Sequence, residues 1–356
     1  MNQLFRWDQM GLFLLALAAG ILPFAVPEVC AAALREGLTL CSGPLLLSLF
    51  PFLVVSRLLI QCPESDLLAL LFRLAAWGIG IRTPCAARVL CIGFLGGFAP
   101  AASAAAQAVR TGQLTAEEAD ALLPACICSG PSFVVLTVGQ SLLGSAELGV
   151  LLFASQITAN YLTAALLNRF VGVRSVKPGS AAPASPAPPR LDEILADAAI
   201  TYCKLCGFIL FFRMLAAGAG ALLPAGAGTL CSILLEVCSG CDLASRTRRW
   251  GSLLCCAALS VQGLSVLLQV RTICPPEMTL RPLYRARLLH LPLSLALFYL
   301  LLPGGEADVF STLPARVLLM RRVPPDCALL VFAVCCMAAC TLRSGIRQVE
   351  QKQMAR

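Results

Sequence analysis

Two apolar segments, one in each half of the chain, carry the residues best suited to holding a polar guest. Residues 122–133 read LLPACICSGPSF and residues 253–264 read LLCCAALSVQGL. Each opens on a Leu-Leu pair, reaches a serine at the same offset and then meets a helix breaker. Ser129, Gly130 and Ser132 in the first, and Ser260, Gln262 and Ser265 in the second, would offer hydroxyls, an amide and freed backbone groups to a solute. Glycine admits unusual backbone angles, and Pro131 removes a donor, so the helix is expected to open there. The same residues could instead make kinked spans whose serines bond their own or a neighbouring helix. Gln262 is costly in lipid without a partner, so it faces protein or water in either case.

Glu236 stands inside the apolar run 228–243. An ionisable group at such a place is a functional candidate by default. It could couple a proton, bind a cation or pair with Arg57 or Arg213; the alternative is a cap at a helix break near Ser239 and Gly240. Arg57 and Arg213 lie near span ends and are expected to snorkel to the interface. His290, the single histidine, is expected at the interface beside a cluster of arginines.

Covalent chemistry has no support. Gly93-Phe94-Leu95-Gly96-Gly97 lacks the Lys-Ser/Thr of a phosphate loop and reads as a packing or helix-breaking cluster. Nineteen cysteines lie mostly within apolar stretches, where they act as small hydrophobes. Cys203/Cys206 and Cys238/Cys241 are C-x-x-C pairs without an accompanying pair of histidines, so no metal site is expected. The chain reads as a non-enzyme with no cofactor.

The elements that position these residues belong to a bilayer. The 356 residues are 58% hydrophobic and 13% charged, with mean hydropathy +0.83. Soluble domains carry about 25% charged residues. The net charge of +8 does not suggest nucleic acid, because the arginines sit in short loops and at the ends of apolar runs. Windows near one bilayer crossing fall at 11–33, 39–61, 86–107, 146–168, 196–223, 226–245, 283–303 and 325–343. The first reads as an uncleaved span rather than a signal peptide, since Asp8 sits in the would-be basic region. Amphipathic stretches are expected at 66–82 and 309–322.

Residues 172–190, rich in Pro, Ala and Ser, read as a linker. Arg169, Arg174, Lys177 and Arg190 place it in the cytoplasm. The broken segments 120–142 and 250–271 are expected to be re-entrant, which puts the arginines at 246–249 and 281–287 inside and the acidic residues at 117–120 outside. Residues 51–59 (PFLVVSRLL) parallel 207–215 (GFILFFRML), sharing a Phe-x-x-x-x-Arg spacing. With the two copies running in opposite directions, this is an inverted repeat. The expected fold is therefore all-α: two inverted-topology halves, about eight transmembrane helices and two re-entrant segments. The divisions are an N-terminal helix (1–38), a first repeat (39–171), the linker (172–192), a second repeat (193–305), and a C-terminal amphipathic segment, span and basic tail (306–356).

Further motifs point to a family. Phe50-Pro51-Phe52, Gly97-Phe98-Ala99-Pro100, Gly112-Gln113-Leu114-Thr115-Ala116-Glu117-Glu118-Ala119 and Ser129-Gly130-Pro131-Ser132-Phe133 resemble the sporulation integral membrane proteins of the YlbJ type. Glu236-Val237-Cys238-Ser239-Gly240 and Leu259-Ser260-Val261-Gln262-Gly263 occupy matching places in the second half. The resemblance covers roughly residues 40–343 and is most specific at 112–119 with Pro131. It departs at Gly130, where such proteins tend to have Asn, at Ala101-Ala102-Ser103-Ala104, where they carry a Gly-rich run with Lys, and at Gln262, where His is common.

The resemblance implies a nucleoside recognition, or Gate, domain and a multi-pass protein of a spore-forming bacterium, required for spore formation. It would sit in the cell membrane of the mother cell or the membrane around the forespore. Its expected partners are the lipid bilayer and an unidentified small polar, nucleoside-like solute, with a homo-oligomer also expected. The other functional reading is a non-transporting scaffold for assembly of the spore envelope.

Overall fold

The computed structural model describes residues 2–61, 69–171, 191–247 and 250–302. The linker 172–190, the stretch 309–322, the span at 325–343 and the basic tail lie outside the described residues. Among those described, every regular element is helical. Three helices are long and apolar enough to cross a membrane: Ala146–Phe170, Leu191–Leu222 and Gly251–Ile273. With the shorter apolar helices around them they make an all-α membrane protein.

The expected first span is bent. Helices α1 (Asn2–Ala25) and α2 (Pro27–Ser42) meet at 109°. Pro27 opens α2, and its ring cannot continue the preceding helix. Helix α3 (Pro44–Gln61) follows, then the short α4 (Leu70–Gly78).

Next the chain doubles back. Helices α5 (Pro84–Gly96) and α6 (Phe98–Arg110) join at Gly97, whose φ of 83° and ψ of −164° suit glycine. Each arm has 13 residues, about 20 Å at 1.5 Å per residue, short of the roughly 30 Å hydrocarbon core. The open end is tied. Arg88 near the start of α5 donates to Gln113 Oε1 just after α6 at 2.7 Å, and both side chains donate to the Ile60 carbonyl at the end of α3. The arms close through small residues; a Cβ on Gly93 would sit 3.2 Å from Ala101 Cβ.

A second hairpin follows in the other half. Helices α10 (Ala225–Leu235) and α11 (Val237–Ser245) join at the extended residue Glu236. Gly240 lets the arms touch, since a Cβ there would lie 2.8 Å from Ile233 Cα.

The segments expected to fold back instead run on. Helix α7 (Ala116–Cys126), the irregular stretch 127–131 and a π-helix (Ser132–Leu142) run antiparallel along α8 (Ala146–Val171). Asn168 Nδ2 bonds the Ala121 carbonyl at 3.1 Å and Asn160 Nδ2 the Ile127 carbonyl at 3.3 Å, while Gly149 packs on Gly139. In the second half α12 (Gly251–Val261) and α13 (Gly263–Ile273) form one broken rod around Gln262. The re-entrant expectation for 120–142 and 250–271 is thus corrected: reversal happens at 84–110 and 225–245. Reversal needs a residue without bulk where the arms close on each other, and Gly93 against Ala101 and Gly240 against the Ile233 backbone provide it. Helices α9 (Leu191–Leu222) and α14 (Arg281–Leu301) complete the second half.

Candidate functional site

Each hairpin tip meets a broken rod, and glycine makes both meetings close. A Cβ on Gly97 would fall 2.7 Å from the Gly130 nitrogen, in the break of the first rod. A Cβ on Gly263, in the break of the second, would fall 2.9 Å from the Glu236 nitrogen. Both glycines also have positive φ, so L side chains are excluded twice over.

Between the two tips lies a cavity of about 60 Å³. Gly96 and Phe98 of the first hairpin, Ser129, Gly130 and Ser132 of the first break, Glu236 of the second hairpin and Gln269 of α13 line it. The first-half candidates Ser129, Gly130 and Ser132 are brought together here. The second-half candidates lie elsewhere, in packed protein. Ser260 Oγ donates to the Cys256 carbonyl at 2.7 Å, accepts from Gln156 Nε2 at 2.9 Å and bonds Ser294 Oγ. Ser265 Oγ accepts from Gln269 Nε2 at 2.9 Å. Gln262, 1% exposed and left-handed at φ 62°, donates through Nε2 to the Ile127 carbonyl at 3.2 Å.

Glu236 is 2% exposed and caps α11. Oε1 accepts from Cys238 N at 2.9 Å, and Oε2 from Ser239 N at 2.7 Å and Ser239 Oγ at 2.8 Å. A carboxylate suits this place, because the first N–H groups of a helix lack internal partners and its dipole is positive there. The carboxylate thus serves as the cap of α11 at the helix break. Arg57 and Arg213 pair elsewhere, with Asp197 and with Glu36 (2.7 Å). Their side chains are 12% and 11% exposed, so they are held in pairs rather than snorkelling freely.

Two polar stripes were not foreseen from residue order. Arg287, His290 and Ser294 on α14 face Gln156 and Asn160 on α8, and all five are buried. His290, expected at the interface, is fully enclosed and its Nε2 bonds the Gln156 carbonyl at 3.2 Å. Arg287 reaches the Ile127 carbonyl and Asn160 Oδ1 at 3.1 Å each, and the Ser260 carbonyl at 3.4 Å. No carboxylate pairs with it among the described residues. Its counterpart is the end of α7 and the end of α12, where helix carbonyls lose their partners and the dipole is negative. The signal was present in sequence: 287, 290 and 294, like 156 and 160, fall on one helical face.

Among the described residues no group of three or more His, Cys, Asp or Glu could hold a metal ion. No family model, curated protein or solved structure matches the chain.

Proposed function

We propose that this chain is a transporter-like membrane protein that recognises or moves a small polar solute between its two hairpin tips. The observation that carries this reading is the convergence of both tips on both helix breaks, around a cavity where Ser129, Ser132 and Glu236 meet. Irregular backbone at membrane depth is tolerated where it lines protein or a cavity, and transporters place their sites at such interruptions.

Apart from α4, which the described second half does not repeat, the halves share an order: a long helix, a hairpin, a broken rod and a closing helix. We take them as inverted-topology repeats with the linker in the cytoplasm. The first hairpin then enters from the inside and the second from the outside. Arg57, Arg82, Arg110, Arg169, Arg271, Arg281 and Arg285 fall at the inner face, in line with the positive-inside bias. The connection from α11 to α12 moves to the outer face and the acidic residues at 117–120 to the inner one, the reverse of the placement that re-entrant 120–142 and 250–271 would give.

A cavity of about 60 Å³ holds about two waters at roughly 30 Å³ each. The tips are therefore closed on one another, and a nucleoside-sized solute requires a hairpin to move. Glu236, at the second tip, is the proposed coupling residue, and recharging its cap would accompany that movement. We further propose that this activity serves spore formation, in a membrane of the mother cell or around the forespore, the setting that a resemblance to YlbJ-type proteins implies.

Single cysteines at Ser129 and Val266, in the full chain with exposed Cys203 replaced, test the reading with membrane-impermeant thiol reagents applied to each side of sealed vesicles. Modification of both is expected. Complete protection from both sides would leave the scaffold for envelope assembly as the function.

A further inference from the structure

A second and larger cavity, of about 180 Å³, lies toward the linker end of the same four helices that flank the hairpin tips. Helix α3 contributes Phe52 to the first cavity and Arg57 to the second; α6 contributes Phe98 and then Arg110. Helix α9 contributes Ile209 and then Lys204, and α13 contributes Gln269 and then Thr272. The two spaces are thus successive levels of one groove. Leu53 of α3 and Ala99 of α6, buried in one apolar cluster, stand between these levels and form a plug.

The charge of the larger cavity is one-sided. Arg57, Arg110 and Lys204 face a single carboxylate, Asp197, which Arg57 already holds. Arg110 and Lys204 are exposed to it and pair with no carboxylate among the described residues. The buried Arg57 Nε has no hydrogen-bond partner. Hydroxyls of Ser103, Thr201 and Thr272 also line it, beside the apolar Ala106, Ile200, Leu205 and Ile273. A concave surface of one sign concentrates ions of the other, raising their local concentration and rate of capture by about 10–10³-fold.

We infer that this cavity is an entry vestibule that selects a small anionic solute, bearing a phosphate or carboxylate, before it passes the plug toward the hairpin tips. The inference rests on the proposed solute path and adds the sign of the cargo's charge. At about 180 Å³, about six waters' worth of space, the vestibule takes a phosphate together with part of the group it is attached to. Arg guanidinium suits planar or tetrahedral oxyanions, and Lys supplies a point charge.

The test uses Ser103→Cys in the full chain, with Cys203 replaced, in sealed phosphatidylcholine vesicles. The thiol is modified from the linker side by an anionic sulfonatoethyl or a cationic trimethylammonioethyl methanethiosulfonate. After correction for intrinsic reactivity, the anionic reagent is expected to react about tenfold faster, and the ratio to collapse in Arg110→Gln/Lys204→Gln. Millimolar inorganic phosphate is expected to slow both reagents in the parent and not in that variant. Equal rates, or no modification from the linker side, would overturn the vestibule. Protection by added phosphatidylglycerol but not by phosphate would assign the anion to a lipid headgroup and overturn the solute reading. Failure here leaves accessibility at Ser129 and Val266 untouched, so the charge of the cargo and the existence of a path are judged separately.

Discussion

The side-chain amide of Gln262 donates to the carbonyl of Ile127 at 3.2 Å, joining the break of the second rod to the break of the first across 135 residues. That same carbonyl receives Asn160 Nδ2 and Arg287 Nη2. One backbone oxygen therefore gathers donors from three elements, and the seam between the halves is fastened there. The hairpin tips, by contrast, reach the breaks through glycine faces. Motion of the hairpins against a fixed seam is the arrangement these contacts favour.

Gln262 holds a left-handed backbone at φ 62°, which costs a non-glycine residue about 1–2 kcal/mol. Gln262→Gly loses the bond to Ile127 but relieves the backbone, whereas Gln262→Ala loses the bond and keeps the strain. Both are expected to lower thermal stability in detergent, the alanine variant by about 1 kcal/mol more. Equal melting temperatures would show that the break relaxes without the strain.

Gly97→Ala and Gly263→Ala each press a Cβ onto backbone at under 3.0 Å. Overpacking of this kind costs about 1–3 kcal/mol, in addition to the positive-φ penalty. Gly80 provides the control, having φ 90° and nothing within 4 Å of the place a Cβ would take. The prediction is that Gly80→Ala lowers the melting temperature less than either tip variant, and that only the tip variants raise thiol reactivity at a cysteine placed at Ser129.

Arg287→Leu strips donors from two backbone carbonyls and from Asn160. The Ile127 carbonyl keeps Gln262 and Asn160 as donors, whereas the Ser260 carbonyl and Asn160 Oδ1 lose theirs. Each buried acceptor left bare costs about 1–3 kcal/mol, so a fall in stability is expected. Arg287→Lys keeps the charge but cannot span the same acceptors with a planar fork, and should fall between Leu and the parent. Unfolding monitored by intrinsic fluorescence would rank the three; parity of Leu with the parent would mean the charge is a burden.

Glu236→Gln keeps one carbonyl oxygen for the α11 N-terminus and turns an amide NH2 toward donors. A loss of about 1–2 kcal/mol is expected from the weakened cap. If Glu236 couples transport, the variant also abolishes uptake driven by a proton or cation gradient, and in a spore-forming host lowers the sporulation yield. Full yield with an intact fold would remove the coupling role.

Much of this architecture could be read from residue order, and the rest could not for identifiable reasons. The two breaks at Ser129-Gly130 and Gln262-Gly263 were legible because a breaker in an apolar run has few other uses. The hairpins were not, because an apolar window such as 86–107 looks alike whether it crosses once or reverses at Gly97. Equal offsets from a Leu-Leu pair matched Ser129 with Ser260, yet the two side chains enter different surroundings. Sequence spacing fixes a residue's place along a helix, while its neighbours decide what that face meets. Hence Ser129 lines the cavity and Ser260 joins the network with Gln156 and Ser294. The polar stripe 287, 290 and 294 was hidden by its proximity to Arg281 and Arg285, which made the whole cluster look like a topology signal.

The guanidinium between the two breaks is bound to the chain and never leaves. Under the proposed function, the unloaded carrier thus resets without a free ion riding along at that position. Its electrical current, measured on a solid-supported membrane, would then report the charge of the cargo and of the second hairpin's carboxylate alone.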